Sequence, residues 1–236
     1  MASRSKKYKH LFFDLDHTLW DFEANAKLTL NELYYNLDLL SKGVGDFEKF
    51  YEIYLYHNER LWDKYRKGII KRDELRWKRM WLTLVDCKIN DEELAREMGV
   101  RFLDSLPTRT LLFPYAIEIL EWLSKRNYSL HLITNGFEVT QYSKLRYSGL
   151  EKFFNEVITS EASNSLKPNP EIFEYAFQKT GALPGDSLML GDDIEADIIG
   201  AQKAGMDQVY VNHKNIDPPF EPTYTISNLK ELENIL

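Results

Sequence analysis

The sequence has a single cysteine, Cys87, among its 236 residues. One cysteine cannot form a disulfide within the chain and has no partner for a multi-cysteine zinc site. Long apolar runs are also missing: the mean hydropathy is −0.44, whereas a membrane-spanning helix needs about 20 consecutive apolar residues. Residues 1–10 form a segment rich in basic residues. The apolar run that follows it, Leu11–Phe13, is too short for the core of a secretory signal. The sequence therefore predicts a cytoplasmic protein without a membrane partner.

An excess of positive charge is absent as well, since 30 Lys and Arg residues stand against 37 Asp and Glu residues, a formal net charge of −7. Proteins that bind the phosphate backbone of nucleic acids usually carry a basic surface, so the composition argues against a nucleic-acid partner. It allows a small phosphorylated substrate, which an acidic enzyme can neutralise locally with a lysine, a helix N-terminus or a metal ion. The 44% hydrophobic and 14% aromatic content excludes a disordered chain, because it supplies a large core.

Proline is absent and glycine is scarce between residues 25 and 106. Apolar residues recur in this stretch at spacings of three and four, which is typical of helices with one buried face. We predict a helical bundle for this stretch. Its helices are expected at Ala24–Leu40, Phe47–Arg66, Lys71–Val85 and Asp91–Ser105.

The remaining sequence alternates short apolar segments with amphipathic ones. Strands are expected at His10–Asp14, Ser129–Thr134, Glu156–Thr159, Ser187–Gly191 and Gln208–Asn212, and helices at Tyr115–Lys125, Val139–Ser148, Glu171–Thr180 and Glu195–Ala204. Such alternation is typical of a parallel, doubly wound α/β sheet with both faces covered. Because the helical stretch interrupts the alternation after the first strand, we predict a Rossmann-like core domain of residues 1–20 and 107–236 with an inserted helical domain of residues 21–106.

Polar residues gather where the predicted strands end. The carboxyl ends of parallel strands share one edge of the sheet, and ligands bind at that edge. Four strand ends contribute these side chains: Asp14, Asp16 and Thr18; Thr134 and Asn135; Lys167; Asp192, Asp193 and Asp197.

This set of side chains suits phosphoryl transfer. Three carboxylates, those of Asp14, Asp16 and Asp192, repel one another when crowded and need a hard cation such as Mg²⁺ to coexist. Thr134, Asn135 and Lys167 supply hydrogen-bond donors and positive charge for phosphoryl oxygens. One carboxylate can attack phosphorus to form an aspartyl-phosphate, and a second can protonate the leaving alcohol and then activate water.

The same residues form four motifs that resemble those of the haloacid dehalogenase (HAD) superfamily. The motifs are Asp14-Leu-Asp16-His-Thr18, Ile133-Thr134-Asn135-Gly136, Lys167-Pro168, and Gly191-Asp192-Asp193 followed by Asp197. The resemblance implies that Asp14 is the nucleophile and Asp16 the general acid/base, and that the helical insert is a C1-type cap. It also implies that Asp14, the backbone carbonyl of Asp16 and Asp192 hold Mg²⁺, with Asp193, Asp197 and Thr18 in supporting positions.

A narrower resemblance concerns the flanking residues. The strings Phe13-Asp-Leu-Asp-His-Thr-Leu-Trp-Asp-Phe22, Ile133-Thr-Asn-Gly-Phe137 and Lys167-Pro-Asn are similar to bacterial pyrimidine 5′-nucleotidases of the YjjG type. This resemblance implies a nucleoside 5′-monophosphate as substrate. Two positions depart from the pattern: Asn164 and Tyr115 stand where glycine is usual, and asparagine tolerates the left-handed backbone that glycine adopts.

Other interpretations stay open at this point. Taken singly, the strand-end aspartates, the Thr134-Asn135 pair and Lys167 would be ordinary turn, helix-start or surface residues. Within the superfamily, a 2-haloacid dehalogenase, a sugar-phosphate phosphatase and a phosphomutase are alternatives, the first of which needs neither Mg²⁺ nor Asp16. A signalling receiver domain also has acidic strand ends and a lysine, but it lacks an inserted helical bundle. The sequence makes no prediction of oligomeric state.

Overall fold

The structure is a computed structural model, and it describes residues 7–236. The chain divides into two compact units, one formed by Met1–Phe22 with Thr110–Leu236 and the other by Glu23–Arg109. We call them the α/β unit and the helical unit. Residues 1–6, which the sequence assigns to the core domain, lie outside the described residues.

The α/β unit is built on a parallel sheet with the strand order β3-β2-β1-β4-β5-β6. The strands are β1 (His10–Phe13), β2 (Ser129–Thr134), β3 (Glu156–Thr159), β4 (Ser187–Gly191), β5 (Asp207–Val211) and β6 (Tyr224–Ile226). The inner strands are nearly continuous apolar runs because helices cover the sheet and leave little of those strands to solvent. The predicted doubly wound parallel sheet is confirmed.

The helices of the α/β unit follow the strands in alternation. They are α5 (Ala116–Lys125), α6 (Glu138–Tyr147), α7 (Ser160–Ser163), α8 (Pro170–Thr180) and α9 (Gly200–Lys203), and a six-residue π-helical turn (Ile194–Ile199) leads into α9. Phe12, Met189 and Phe173 belong to one buried apolar cluster that joins the sheet to α8 and α9. These helices thereby pack against β1 and β4 at the centre of the sheet.

The helical unit is formed by α1 (Phe22–Asn36), whose first residue belongs to the α/β unit, α2 (Phe47–Arg66), α3 (Arg72–Asp86) and α4 (Glu92–Ser105). The carboxylate of Asp46 accepts hydrogen bonds from the backbone N–H groups of Glu48 and Lys49, so it caps α2 as aspartate commonly does. Along residues 7–236, the helices are all too short or too polar to cross a membrane.

Two predicted helices differ from the structure, and one short helix of the structure was not predicted. The first cap helix ends at Asn36 rather than Leu40, because Asp38 adopts a left-handed backbone with φ of 48° and the chain turns there. The helix predicted at Glu195–Ala204 starts as the π-helical turn, in which Asp193 accepts hydrogen bonds from the first N–H groups. The short helix α7 follows β3 directly and was not predicted.

The two positions where glycine is usual both carry a left-handed backbone. Asn164 has φ of 51° and Tyr115 has φ of 70°. Asparagine accepts this conformation at small cost. The Tyr115 hydroxyl donates a hydrogen bond of 2.6 Å to Oε1 of Glu233.

Candidate active site

A buried lysine occupies the centre of the predicted site. The Nζ atom of Lys167 lies 2.5 Å from Oδ1 of Asp14, 2.7 Å from Oδ1 of Asp197 and 2.6 Å from the carbonyl oxygen of Ile133. Asp14 directly follows β1, and its N–H donates to the carbonyl of Leu190 in β4. The backbone of Asp14 is therefore fixed by the sheet, and its carboxylate is fixed by the lysine.

The Asn135 side chain fixes the backbone of the lysine. Its Nδ2 donates to the carbonyl oxygen of Lys167 at 2.9 Å, and its Oδ1 accepts from the Lys167 N–H at 2.7 Å. The backbone carbonyl of Asn135 accepts a 3.3 Å hydrogen bond from Ser160. The loop that carries Lys167 is thus tied to the end of β2 through one carboxamide.

An acidic cluster surrounds the lysine. The carboxylates of Asp14, Asp192 and Asp197 each offer an oxygen, and these oxygens all lie within 4.8 Å of one another. Thr18 donates to Oδ1 of Asp192 at 3.3 Å. The N–H of Asp193 donates to Oδ2 of Asp197 at 3.1 Å, so both oxygens of Asp197 contact positive groups or N–H donors.

Gly191 is required at the end of β4 because the Asp197 carboxylate lies against its backbone. A Cβ atom placed on Gly191 would lie 2.2 Å from Oδ2 of Asp197. The neighbouring carboxylate of Asp193 instead points into the following turn, where it accepts hydrogen bonds from the N–H groups of Glu195 and Ala196. Asp193 therefore shapes the turn that presents Asp197.

Burial and mutual repulsion act on the cluster together. Burial raises the pKa of Asp14 to about 7, although Lys167 opposes part of that increase. Burial and the neighbouring aspartates also raise the pKa of Asp192 well above its ordinary value. Burial alone would lower the pKa of Lys167, but Asp14 and Asp197 outweigh it and raise the pKa. One lysine cannot neutralise three crowded carboxylates.

A divalent cation fits this cluster on chemical grounds. Carboxylate oxygens are the ligands that Mg²⁺ prefers, and a dication would balance the negative charge that Lys167 leaves uncompensated. Asp14 and Asp192, both predicted as metal ligands, lie in the cluster. The carboxylate of Asp16, the third predicted ligand, is hydrogen-bonded elsewhere, so only its backbone carbonyl is available for that role.

The Asp16 carboxylate is bound by two side chains of α6. Nζ of Lys144 lies 2.6 Å from Oδ1 and 2.8 Å from Oδ2, and Nε2 of Gln141 lies 3.0 Å from Oδ2. The same Gln141 nitrogen lies 2.6 Å from Oγ1 of Thr134. Asp16 and Thr134, which the sequence assigns to acid/base catalysis and phosphate binding, are therefore linked by one side chain.

Gln141 and Lys144 were not predicted as site residues. Both are buried, whereas the apolar residues Val139 and Tyr147 of the same helix are exposed. The signal in the sequence is only that these two polar residues, three positions apart, lie on one helix face. This signal can be interpreted only once the face of α6 that packs on the sheet is known.

Comparison with known proteins shows the family of the chain. The sequence profile described as haloacid dehalogenase-like hydrolase matches residues 8–205. The chain belongs to this family of hydrolases. The predicted membership of the HAD superfamily and the prediction of an enzyme are confirmed.

Several relatives of this HAD hydrolase align with nearly its whole length. It is 33% identical over 237 residues to the putative HAD-hydrolase YfnB of Bacillus subtilis, covering 98% of this chain and 96% of YfnB. A crystal structure of YfnB bound to magnesium matches it with a TM-score of 0.89, 30% identity, and coverage of 98% of this chain and 99% of that one.

Two further relatives are named as pyrimidine 5′-nucleotidases. PynA of Streptococcus pneumoniae is 30% identical, covering 97% of this chain and 95% of PynA. YjjG of Escherichia coli is also 30% identical, covering 98% of both chains.

Proposed function

We propose that this HAD hydrolase is a Mg²⁺-dependent phosphomonoesterase that works through an aspartyl-phosphate on Asp14. The observation that carries the proposal is the buried Asp14 carboxylate, held 2.5 Å from Lys167 beside the carboxylates of Asp192 and Asp197. A nucleophile needs a fixed position and a neighbouring positive charge to attack an anionic phosphate ester. This arrangement supplies both.

The reaction assigned to these residues has two steps. An Asp14 oxygen attacks phosphorus, the bond between phosphorus and the ester oxygen breaks, and Asp16 gives its proton to the leaving alcohol. Asp16 then takes a proton from water, which attacks phosphorus and releases inorganic phosphate and the Asp14 carboxylate. Lys167 offsets the charge that accumulates between nucleophile and phosphate.

The remaining predicted residues bind phosphate or the metal. Thr134 and Asn135 are assigned to phosphate binding, Thr134 through its hydroxyl and Asn135 at the loop where it also holds Lys167. Asp14, Asp192 and the backbone carbonyl of Asp16 would hold Mg²⁺, with Thr18, Asp193 and Asp197 in support. The bound ion would supply positive charge to the phosphoryl oxygens.

The substrate we assign is a pyrimidine nucleoside 5′-monophosphate. The location we assign to the protein is the cytoplasm. Support comes from PynA and YjjG, two relatives named for this activity that align over nearly the whole chain.

The test is a phosphate-release assay over a panel of esters with and without Mg²⁺. UMP, dUMP and dTMP should exceed purine monophosphates, sugar phosphates and phosphoglycolate in kcat/KM. A sugar phosphate or phosphoglycolate faster than every nucleotide by more than about tenfold would refute the nucleotidase assignment. Release of halide from 2-haloacids without phosphate release would refute the phosphatase class itself.

A further inference from the structure

We propose that Lys144, together with Gln141, is a positioning residue that sets the orientation of the Asp16 carboxylate for proton transfer. This inference rests on the proposed function, in which Asp16 protonates the leaving alcohol. Nothing in the four motifs assigns a role to α6.

Three hydrogen bonds hold the carboxylate. Lys144 contacts both oxygens of Asp16, at 2.6 and 2.8 Å, and Gln141 contacts one of them at 3.0 Å. A carboxylate bound at both oxygens cannot rotate about its terminal bond without breaking contacts. Proton transfer requires the acid within hydrogen-bond reach of the ester oxygen, so an orientation fixed in advance favours catalysis.

The lysine itself is held in a buried aromatic setting. Its side chain is only 3% exposed, and Nζ lies 4.5 Å from the centroid of the Trp20 ring and 5.7 Å from that of Phe22. A ring face attracts a cation, and burial beside the rings shields the lysine head group from water. Trp20 lies in the same loop as Asp16 and forms a backbone bridge with it. The loop therefore supplies both the carboxylate and part of the wall around its partner.

Gln141 connects this pair to the phosphate-binding residue. Oγ1 of Thr134 accepts hydrogen bonds from Nε2 of Gln141 at 2.6 Å and from the N–H of Gly136 at 3.0 Å. A hydroxyl has two acceptor lone pairs and one hydrogen. With both lone pairs used, the Thr134 hydrogen is left to donate to a phosphoryl oxygen. Gln141 thus orients the acid and the phosphate donor together.

The side chain of Gln141 packs directly against the backbone of Gly136, where only glycine leaves enough space. A Cβ atom on Gly136 would lie 2.3 Å from Cδ and Nε2 of Gln141. The close approach places the carboxamide between Thr134 and Asp16. This packing is what a fixed link between the two residues requires.

The experiment compares Lys144→Gln, Lys144→Arg and Arg146→Met with the wild-type protein on a series of esters. The series runs from p-nitrophenyl phosphate, whose leaving group departs without a proton, to UMP and simple alkyl phosphates, whose leaving groups need one. Arg146 is the matched control, because it is an exposed cation on the same helix and pairs with Glu151. Circular dichroism and Tm report folding of each variant.

Loss of positioning has a signature that a merely structural role would not give. In Lys144→Gln, kcat/KM should fall about 10- to 100-fold for the alkyl esters and much less for p-nitrophenyl phosphate. Lys144→Arg should recover most of the alkyl-ester activity, since a guanidinium can also bind both carboxylate oxygens. Arg146→Met should behave as wild type.

Two results would overturn the inference. An equal fall on all esters would show that Lys144 only holds the fold together, and an unchanged series would show that it has no role. If Lys144→Gln does not fold, Gln141→Leu provides the same leaving-group test, with the same two contrary outcomes. Wild-type protein inactive on every ester would refute the proposed function and this inference with it, whereas active wild type with a uniform loss refutes this inference alone.

Discussion

The carboxamide of Asn135 binds the backbone of Lys167 at both of its ends, at 2.7 and 2.9 Å. The lysine head group then lies between two carboxylates and a carbonyl oxygen. A residue in the loop after β2 therefore determines where the positive charge of the site lies.

Replacing Asn135 should damage turnover through Lys167. In Asn135→Ala the N–H and carbonyl of Lys167 lose their partners, which costs about 1–3 kcal/mol in the free energy of unfolding and displaces Nζ from Asp14. We expect kcat to fall roughly 10²-fold, as for a small misplacement of a catalytic group. The measurements are kcat on p-nitrophenyl phosphate and the free energy of unfolding by urea.

Asn155→Ala is the control for this change. Oδ1 of Asn155 also accepts a backbone hydrogen bond, from Leu130 at 3.1 Å, but it lies at the start of β3 and away from Lys167. The variant Asn155→Ala should have a lower free energy of unfolding and an unchanged kcat per folded molecule. Equal loss of kcat in both variants would contradict the positioning role of Asn135.

Mg²⁺ should stabilise the folded protein as well as activate it. A cation that binds only the folded state adds about 2.7 kcal/mol to the free energy of unfolding at a concentration of 100 Kd, by mass action. We expect the binding because the cation relieves repulsion among Asp14, Asp192 and Asp197. We expect Tm to rise with Mg²⁺, and EDTA to lower Tm and abolish activity until Mg²⁺ is restored. Asp192→Asn should lose the Mg²⁺-dependent shift, while Asp104→Asn, at an exposed carboxylate of α4, should keep it. A shift of the same size in both variants would exclude the cluster as the metal site.

Stability should fall on acidification because of His131. This side chain stacks on Phe12 and lies with Nε2 3.1 Å from Nδ1 of His10, and burial followed by the neighbouring imidazole lowers its pKa to about 4 from 6.5. The unfolded chain then binds the proton more tightly than the folded chain. The stabilisation is complete above about pH 6.5 and is lost as pH falls toward 4, by roughly 2 kcal/mol between pH 7 and 5.

His131→Phe isolates this effect from the other titrating groups. Urea unfolding of both proteins at pH 7 and pH 5 gives the difference directly. The wild-type protein should lose more stability than the variant over that interval. The same pH dependence in both would mean that His131 titrates equally in the folded and unfolded states.

Lys88→Gly should raise the stability of the helical unit. Lys88 follows the end of α3 with φ of 65°, is exposed, and donates its N–H to the carbonyl of Val85, so its backbone and not its side chain serves the helix end. Glycine removes the strain of a left-handed conformation, for a gain of about 0.5–1 kcal/mol. The measurement is Tm from thermal unfolding, with Lys88→Ala as the control. Alanine keeps the strain of the left-handed backbone, so this variant should not raise Tm. A lower Tm for the glycine variant would contradict this account of the turn.

The parts that the sequence predicted are those set by local pattern. Apolar runs of strand length gave β1 to β4 within a residue, and the polar residues after them meet at one edge because parallel strands share it. What could not be predicted depends on which helix face packs on the sheet. The burial of Gln141 and Lys144 is of this kind, since nothing in the spacing of α6 indicates that its polar face turns inward.

The backbone conformation of the segments that follow the strands also could not be predicted. The π-helical turn before α9 places Asp197 against Gly191 and Lys167, and a sequence rich in Ile, Glu and Asp is equally compatible with an ordinary helix. The second function of Asn135 also depends on a contact between residues 32 positions apart. Such contacts exist only after the sheet has formed.

The most direct test of the central claim is the location of the phosphoryl group during turnover. The variant Asp16→Asn is mixed with p-nitrophenyl phosphate and Mg²⁺ and quenched in acid, because this ester needs no proton to leave while hydrolysis of the intermediate is slowed about 10²–10⁴-fold without the base. Peptide mass spectrometry should find one phosphoryl group on the peptide that contains Asp14, and none in the same peptide of Asp14→Asn, which should be inactive. A p-nitrophenolate burst with the phosphoryl group on another residue, or on none, would contradict the account.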